Sequence, residues 1–162
     1  MDQRFLVNVT LNHDLLLEFF VTFARFEFAL KAAGFFMGDG RGASPDWSRF
    51  GRSLDLDAAH LDSDCAVAID YFALHPPWRE VVAGNGLHWD STLGFKTPER
   101  MDQVLDLVRR VRNNLFHGGK FNDEVHSGTG RNEMLLRHSL VILYRCLELS
   151  PPVAAAYDGA RL

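Results

Sequence analysis

Apolar residues recur along the chain at helical spacing. Between Pro98 and His117, the residues Met101, Val104, Leu105, Val108, Val111 and Leu115 fall on one stripe of a helix and must face a core. Arg109, Asn113 and His117 stand at i, i+4 and i+8 on the opposite, polar face. Arg112 borders the apolar stripe, where its stem can pack while its guanidinium reaches outward. From about Thr10 or Leu11 to Phe36, apolar residues occupy most sides, which predicts a central helix. Asn12 and Asp14 are its cap or first-turn residues, and Gly34 and Gly38 mark its frayed end. Further elements are a short helix over Trp47–Arg52 and a longer one from about Leu56 to Leu74, with Asp55 and Asp57 at its positive end. Pro76 and Pro77 stop that helix. Thr97 caps the next helix, with Pro98 at its first position, and a last helix runs from about Arg131 to Leu149, ending before Pro151-Pro152.

Two stretches break the pattern. "MGDGRGASPD", 37–46, lacks GxxxxGK[ST] and follows no strand, so it reads as a linker and not as a phosphate-binding loop. "HPPWREVVAGNGLHWDS" reads as an irregular connector. No convincing alternation predicts a strand, and no internal repeat or second domain is visible. The expectation is an all-α bundle of about four main helices in one domain, 1–162, with a loop-rich insert at about 75–96.

A chain of 162 residues is long enough to bury a core without disulfides or metals. The formal charge of −4 argues against a general nucleic-acid coat while leaving room for a local basic pocket. Cys65 and Cys146 lie in apolar helical surroundings and are expected as buried, structural thiols. Glu18, Arg25, Glu27 and Lys31 interrupt the most apolar run, so no membrane span or signal peptide is expected, and the cytoplasm is the default location.

The stretch "RNNLFHGGK", Arg112 to Lys120, raises a sharper question. Gly118 and Gly119 can supply a left-handed C-cap, and a histidine in the last turn suits the helix dipole. On that reading His117 merely ends a helix. Arg112 and His117 are separated by about 140° on an ideal helix and share no face by spacing alone. They converge only if the last turn unwinds, the arginine reaches far, or a second subunit supplies one of them.

The full string "VRNNLFHGGKF" resembles the Arg-x4-His signature of the HEPN superfamily: Arg112, the polar Asn113, an apolar-aromatic pair, His117 and a following glycine. "RFEFALKAAGF" and "LHPPWREV…GLHWD" resemble the first helix and the insert of the Apea-like HEPN group. The resemblance covers most of the chain. It implies a HEPN-like bundle and a metal-independent endoribonuclease working as a homodimer on RNA, in a toxin, phage-defence or stress setting. No cofactor and no metal are implied. His117 suits a base or acid near neutral pH, Arg112 suits stabilisation of phosphorane charge, and Asn113 suits binding phosphate or orienting His117. Glu27 and Lys31 have the spacing of the ExxxK element that accompanies the motif in some members. A plain i, i+4 ion pair is the alternative. Lys120 and Arg109 are candidates for RNA phosphate. An antitoxin or regulatory protein is a candidate partner, but Gly119 stands where toxins paired with minimal nucleotidyltransferases carry tyrosine, so that kind of antitoxin is not expected. The competing expectation is a non-catalytic HEPN module that dimerises and binds nucleotide, RNA or a protein.

Weaker candidates have plainer explanations. His13-Asp14 suits a helix start, and His60 and Asp64 are too few for a metal site. Trp78 and Trp89 suit packing of the insert better than stacking on a base.

Overall fold

The computed structural model describes residues 11–54, 62–90, 100–116 and 129–159, and these form six helices and two antiparallel hairpins. The largely helical expectation holds. The expectation of no strands does not.

Helix α1, His13–Ala32, opens where the Asn12 side chain accepts a hydrogen bond from the Leu15 N–H at 2.9 Å. Asn12 also donates its own N–H to Glu133, tying this end to a later helix. The helix stops at Ala32 and not at Phe36, because the Phe35 N–H turns back to the Leu30 carbonyl at 2.8 Å. Phe36 instead starts β1, Phe36–Gly38, which pairs with β2, Ala43–Pro45. The expected linker is therefore a small hairpin. Its positions are almost all exposed, so it carries no in-out alternation to read.

Helix α2, Trp47–Ser53, lies close to the expected span and is capped by Asp46. It wedges between α1 and α4 (Met101–Phe116). Trp47 stacks on Phe23 and Phe26 at 5.2 and 5.3 Å, and Phe50 meets Phe26 and Phe35 edge-on. On its other side Gly51 presses against α4, where a Cβ would lie 2.4 Å from the Asp102 Cα. Only glycine allows that approach.

Helix α3, Ser63–Leu74, is capped by Asp62 through the Cys65 N–H at 2.7 Å. It therefore begins later than the expected start near Leu56; Asp55 and Asp57 lie outside the described residues. Helix α4 likewise begins at Met101, with Arg100 just outside it, while Thr97 and Pro98 lie outside the described residues. Asp102 in its first turn is gripped by Arg100 with two hydrogen bonds, at 3.0 and 2.6 Å. Every residue of the anticipated α4 stripe is at most 5% exposed. Leu107 and Asn114 join them, so the buried face is wider than six positions indicated.

Helix α5 spans Thr129–Glu148 and packs on α3 and α1. Pro151 and Pro152 do not simply follow its end. They open a further short helix, α6, Pro151–Tyr157, bent by 113° from α5 and packed on α1. No single helix among the described residues is long and apolar enough to cross a membrane.

The connector holds the second hairpin, β3 (Arg79–Ala83) with β4 (Gly86–Asp90), pairing Arg79 with Asp90 and Glu80 with Trp89. Gly84 takes φ 61 at the first of two turn residues, a conformation that favours glycine. The hairpin is moored by the strap before it. Arg131 donates to the Pro76 carbonyl at 2.7 Å, Arg110 to that of Pro77 at 3.3 Å, and Asn114 to that of Trp78 at 2.8 Å. Three successive carbonyls without a sheet partner are thus satisfied by side chains of α4 and α5.

Candidate functional site

The last turn of α4 carries the first half of the motif. Arg112 is half-buried, and its guanidinium lies 4.2 Å over the Phe116 ring, one turn on, and 5.7 Å from the Phe23 ring of α1. Phe116 is fixed in turn by an edge-on contact with Phe20 at 4.8 Å. Two rings therefore hold the cation in one orientation. Arg112 donates from Nη1 to the Asn113 Oδ1 at 3.0 Å. Its Nε is buried and has no hydrogen-bond partner among the described residues. A guanidinium clamped this way, with donor capacity left over, suits a phosphate or oxyanion. The stem packs and the head reaches out, as the position at the edge of the apolar stripe implied.

His117 and Lys120 lie outside the described residues, which on this helix end at Phe116. Glu27 and Lys31 both lie on α1. The Glu27 carboxylate accepts from the Trp47 indole at 3.4 Å, and no ion pair links it to Lys31 among the described residues. Glu27 thus braces α2 against α1. Among the described residues, Trp47 and Phe23 link it to Arg112, each ring lying against the next group.

Arg109 and Asn113, expected on one polar face, do share a surface. They line a cleft of about 470 Å³ between that face and the β3–β4 hairpin, together with Arg79, Glu80, Trp89, Asp106, Arg110 and Asn114. Asp106 serves two of the cations, Arg109 at 3.4 Å and Arg110 at 3.6 Å. Burial lowers the pKa of Arg110; Asp106 opposes that fall, and the positive charge of Arg79 adds to it. Three guanidiniums face two carboxylates here, in a chain whose formal charge is −4. Asn113 belongs to both places: it lines the cleft and bonds Arg112.

The cleft was not anticipated from the sequence as a unit. Its α4 half was visible in the Arg109/Asn113 spacing. Its hairpin half required recognising two strands in "WREVVAGNGLHWD", where the Gly84-Asn85 dipeptide was the available turn signal. Trp89 lines the cleft, whereas Trp78 lies under the Arg131 guanidinium at 5.5 Å and serves packing. His75 and His138 both lie against the Tyr71 ring, at 4.8 and 4.5 Å. His60 lies outside the described residues. Cys65 and Cys146 are free and buried.

Comparison of the chain with protein-family models, with curated proteins and with solved structures found no match.

Proposed function

We propose that the chain is a metal-independent endoribonuclease of the HEPN type, acting as a homodimer in a toxin, phage-defence or stress setting. A ribose 2′-OH attacks the adjacent phosphorus, and the bond from phosphorus to the 5′-oxygen breaks. The products are a 2′,3′-cyclic phosphate and a 5′-hydroxyl. His117 of one subunit takes the proton from the 2′-OH, and the second subunit's copy of the same histidine protonates the leaving oxygen. Arg112 balances the charge that gathers on the phosphorane oxygens.

The observation that carries this reading is the guanidinium of Arg112, held over Phe116 and near Phe23 and bonded to the exposed Asn113. Support for the homodimer comes from the neighbouring surface. Leu17, Val21, Ala24 and Phe28 are exposed and spaced at four, three and four residues along α1, the spacing of a seam between paired helices. Phe116, 59% exposed, meets Phe20 of α1 edge-on and carries the Arg112 guanidinium on its ring. A second copy seated there would bring two motifs together, which bears on the separation of Arg112 and His117 around a single helix.

The second reading, a non-catalytic module that binds nucleotide or RNA, is favoured by the arginine-lined cleft alone. Incubating the protein with structured RNA in EDTA, beside His117→Ala, separates the two. Cleavage by the parent that disappears in a folded variant supports the nuclease. RNA bound but never cut supports the module.

A further inference from the structure

We propose that the cleft between the β3–β4 hairpin and the polar face of α4 is a nucleotide-binding subsite for single-stranded RNA, holding a base against Trp89 and a backbone phosphate among Arg79, Arg109 and Asn113. The proposal rests on the ribonuclease reading for its choice of RNA; the cleft itself is built entirely from other observations.

The first is shape. A concavity of about 470 Å³ is large enough for one nucleotide and open to the surface, as a strand passing through requires. The second is charge. Arg79 makes no hydrogen bond or ion pair with its side chain among the described residues, and Asp106 is divided between Arg109 and Arg110. Asp106 and Asp90 support the Arg110 cation against burial and the nearby Arg79 charge, so the carboxylates beside Arg110 are engaged there and Arg79 is the cation best placed to meet an added anion. The third is chemistry. Trp89 offers an aromatic face that any base can stack on, and the exposed amide of Asn113 offers a hydrogen-bonding group beside the cations. Lastly, Asn113 bonds Arg112, so a strand held in the cleft continues toward the proposed scissile phosphate. Arg110 and Asn114 have a different task, since they hold the strap that positions the hairpin.

The test uses the full chain carrying His117→Ala, so that RNA binds without being cut, and a short fluorescent single-stranded oligoribonucleotide read by anisotropy. Arg79→Ala with Arg109→Ala is expected to weaken binding about 10-fold or more and to reduce the salt dependence by about one or two phosphate contacts. Trp89→Ala is expected to weaken it about 10-fold, while Trp89→Phe, which keeps a stacking face, retains most of it. Arg41→Ala removes one positive charge from the exposed β1–β2 loop, as each single cleft change does, and is expected to leave binding unchanged. Thermal melts of each variant report whether the fold is kept. Binding that is unaltered in the cleft variants, or altered equally by Arg41→Ala, overturns the subsite. If the parent still cuts RNA in that case, the nuclease reading stands without the cleft. If the cleft variants lose binding but no RNA is ever cut, the subsite stands and the nuclease reading falls. Displacement of the oligonucleotide by equimolar adenosine monophosphate would overturn the assignment to a strand in favour of a free nucleotide.

Discussion

Arg112 has a structural place that is visible and a chemical role that is proposed. Its stem completes the edge of the α4 core, and its head is stacked on Phe116 and Phe23. Arg112→Ala is therefore expected to cost about 1 kcal/mol of stability through the lost cation–π contact, read by denaturant unfolding. Arg112→Lys keeps the charge but not the planar fork, and is expected to lose cleavage about 100-fold or more while remaining folded. A lysine variant that cuts RNA normally would remove Arg112 from the chemistry. The buried thiols yield a pH prediction. Burial pushes the Cys65 thiol up to about 11, with the Asp62 carboxylate adding to the effect and Arg145 opposing it. The unfolded chain ionises this thiol near 9.0, whereas the folded chain holds the proton until about 11. Stability from this group is thus fully present below pH 9.0 and is lost as pH rises toward 11. The melting temperature is expected to fall over that window, and to fall less in Cys65→Ala.

At the scale of elements, the helices are set by short-range signals and their seating by close contacts. Gly51→Ala would drive a Cβ into the α4 backbone at Asp102, so α2 must lift away. The expected loss is about 1–3 kcal/mol, read from the denaturant midpoint. Asn114→Ala removes the amide that holds the Trp78 carbonyl. The expected result is a loss of about 1–3 kcal/mol, with faster hydrogen exchange confined to 79–90. Legibility in the sequence follows the same division. The α4 stripe could be read because every third or fourth residue is buried against α2, α3 and α5. The α2 span could be read because Asp46 caps it and Trp47 starts its buried face. Both hairpins escaped because their strands are short and largely exposed, so neither face is sorted by polarity. The Glu27 contact escaped for a different reason: its tertiary partner is the Trp47 indole, which no local pattern reveals. The Arg112–Asn113 end of the site was legible as a motif. The cleft was not, because half of it sits on an unrecognised hairpin.

At the scale of the whole molecule, α1 is enclosed on several sides, by α2, α5 and α6, and open along Leu17, Val21, Ala24 and Phe28. A dimer seated on that seam is expected to dissociate in Val21→Glu with Phe28→Glu. Sedimentation would then report a monomer, with secondary structure retained because both positions are exposed in a single chain. Cleavage is expected to disappear with the dimer. A parent chain that sediments as a monomer and still cuts RNA would refute the two-subunit mechanism.

The most direct measurement is the chemistry of the ends left on RNA incubated with the protein in EDTA. Attack by the neighbouring 2′-OH predicts 2′,3′-cyclic phosphate and 5′-hydroxyl ends, present with the parent and absent with His117→Ala. Ends bearing a 3′-hydroxyl, or the same ends from the variant as from the parent, would contradict it.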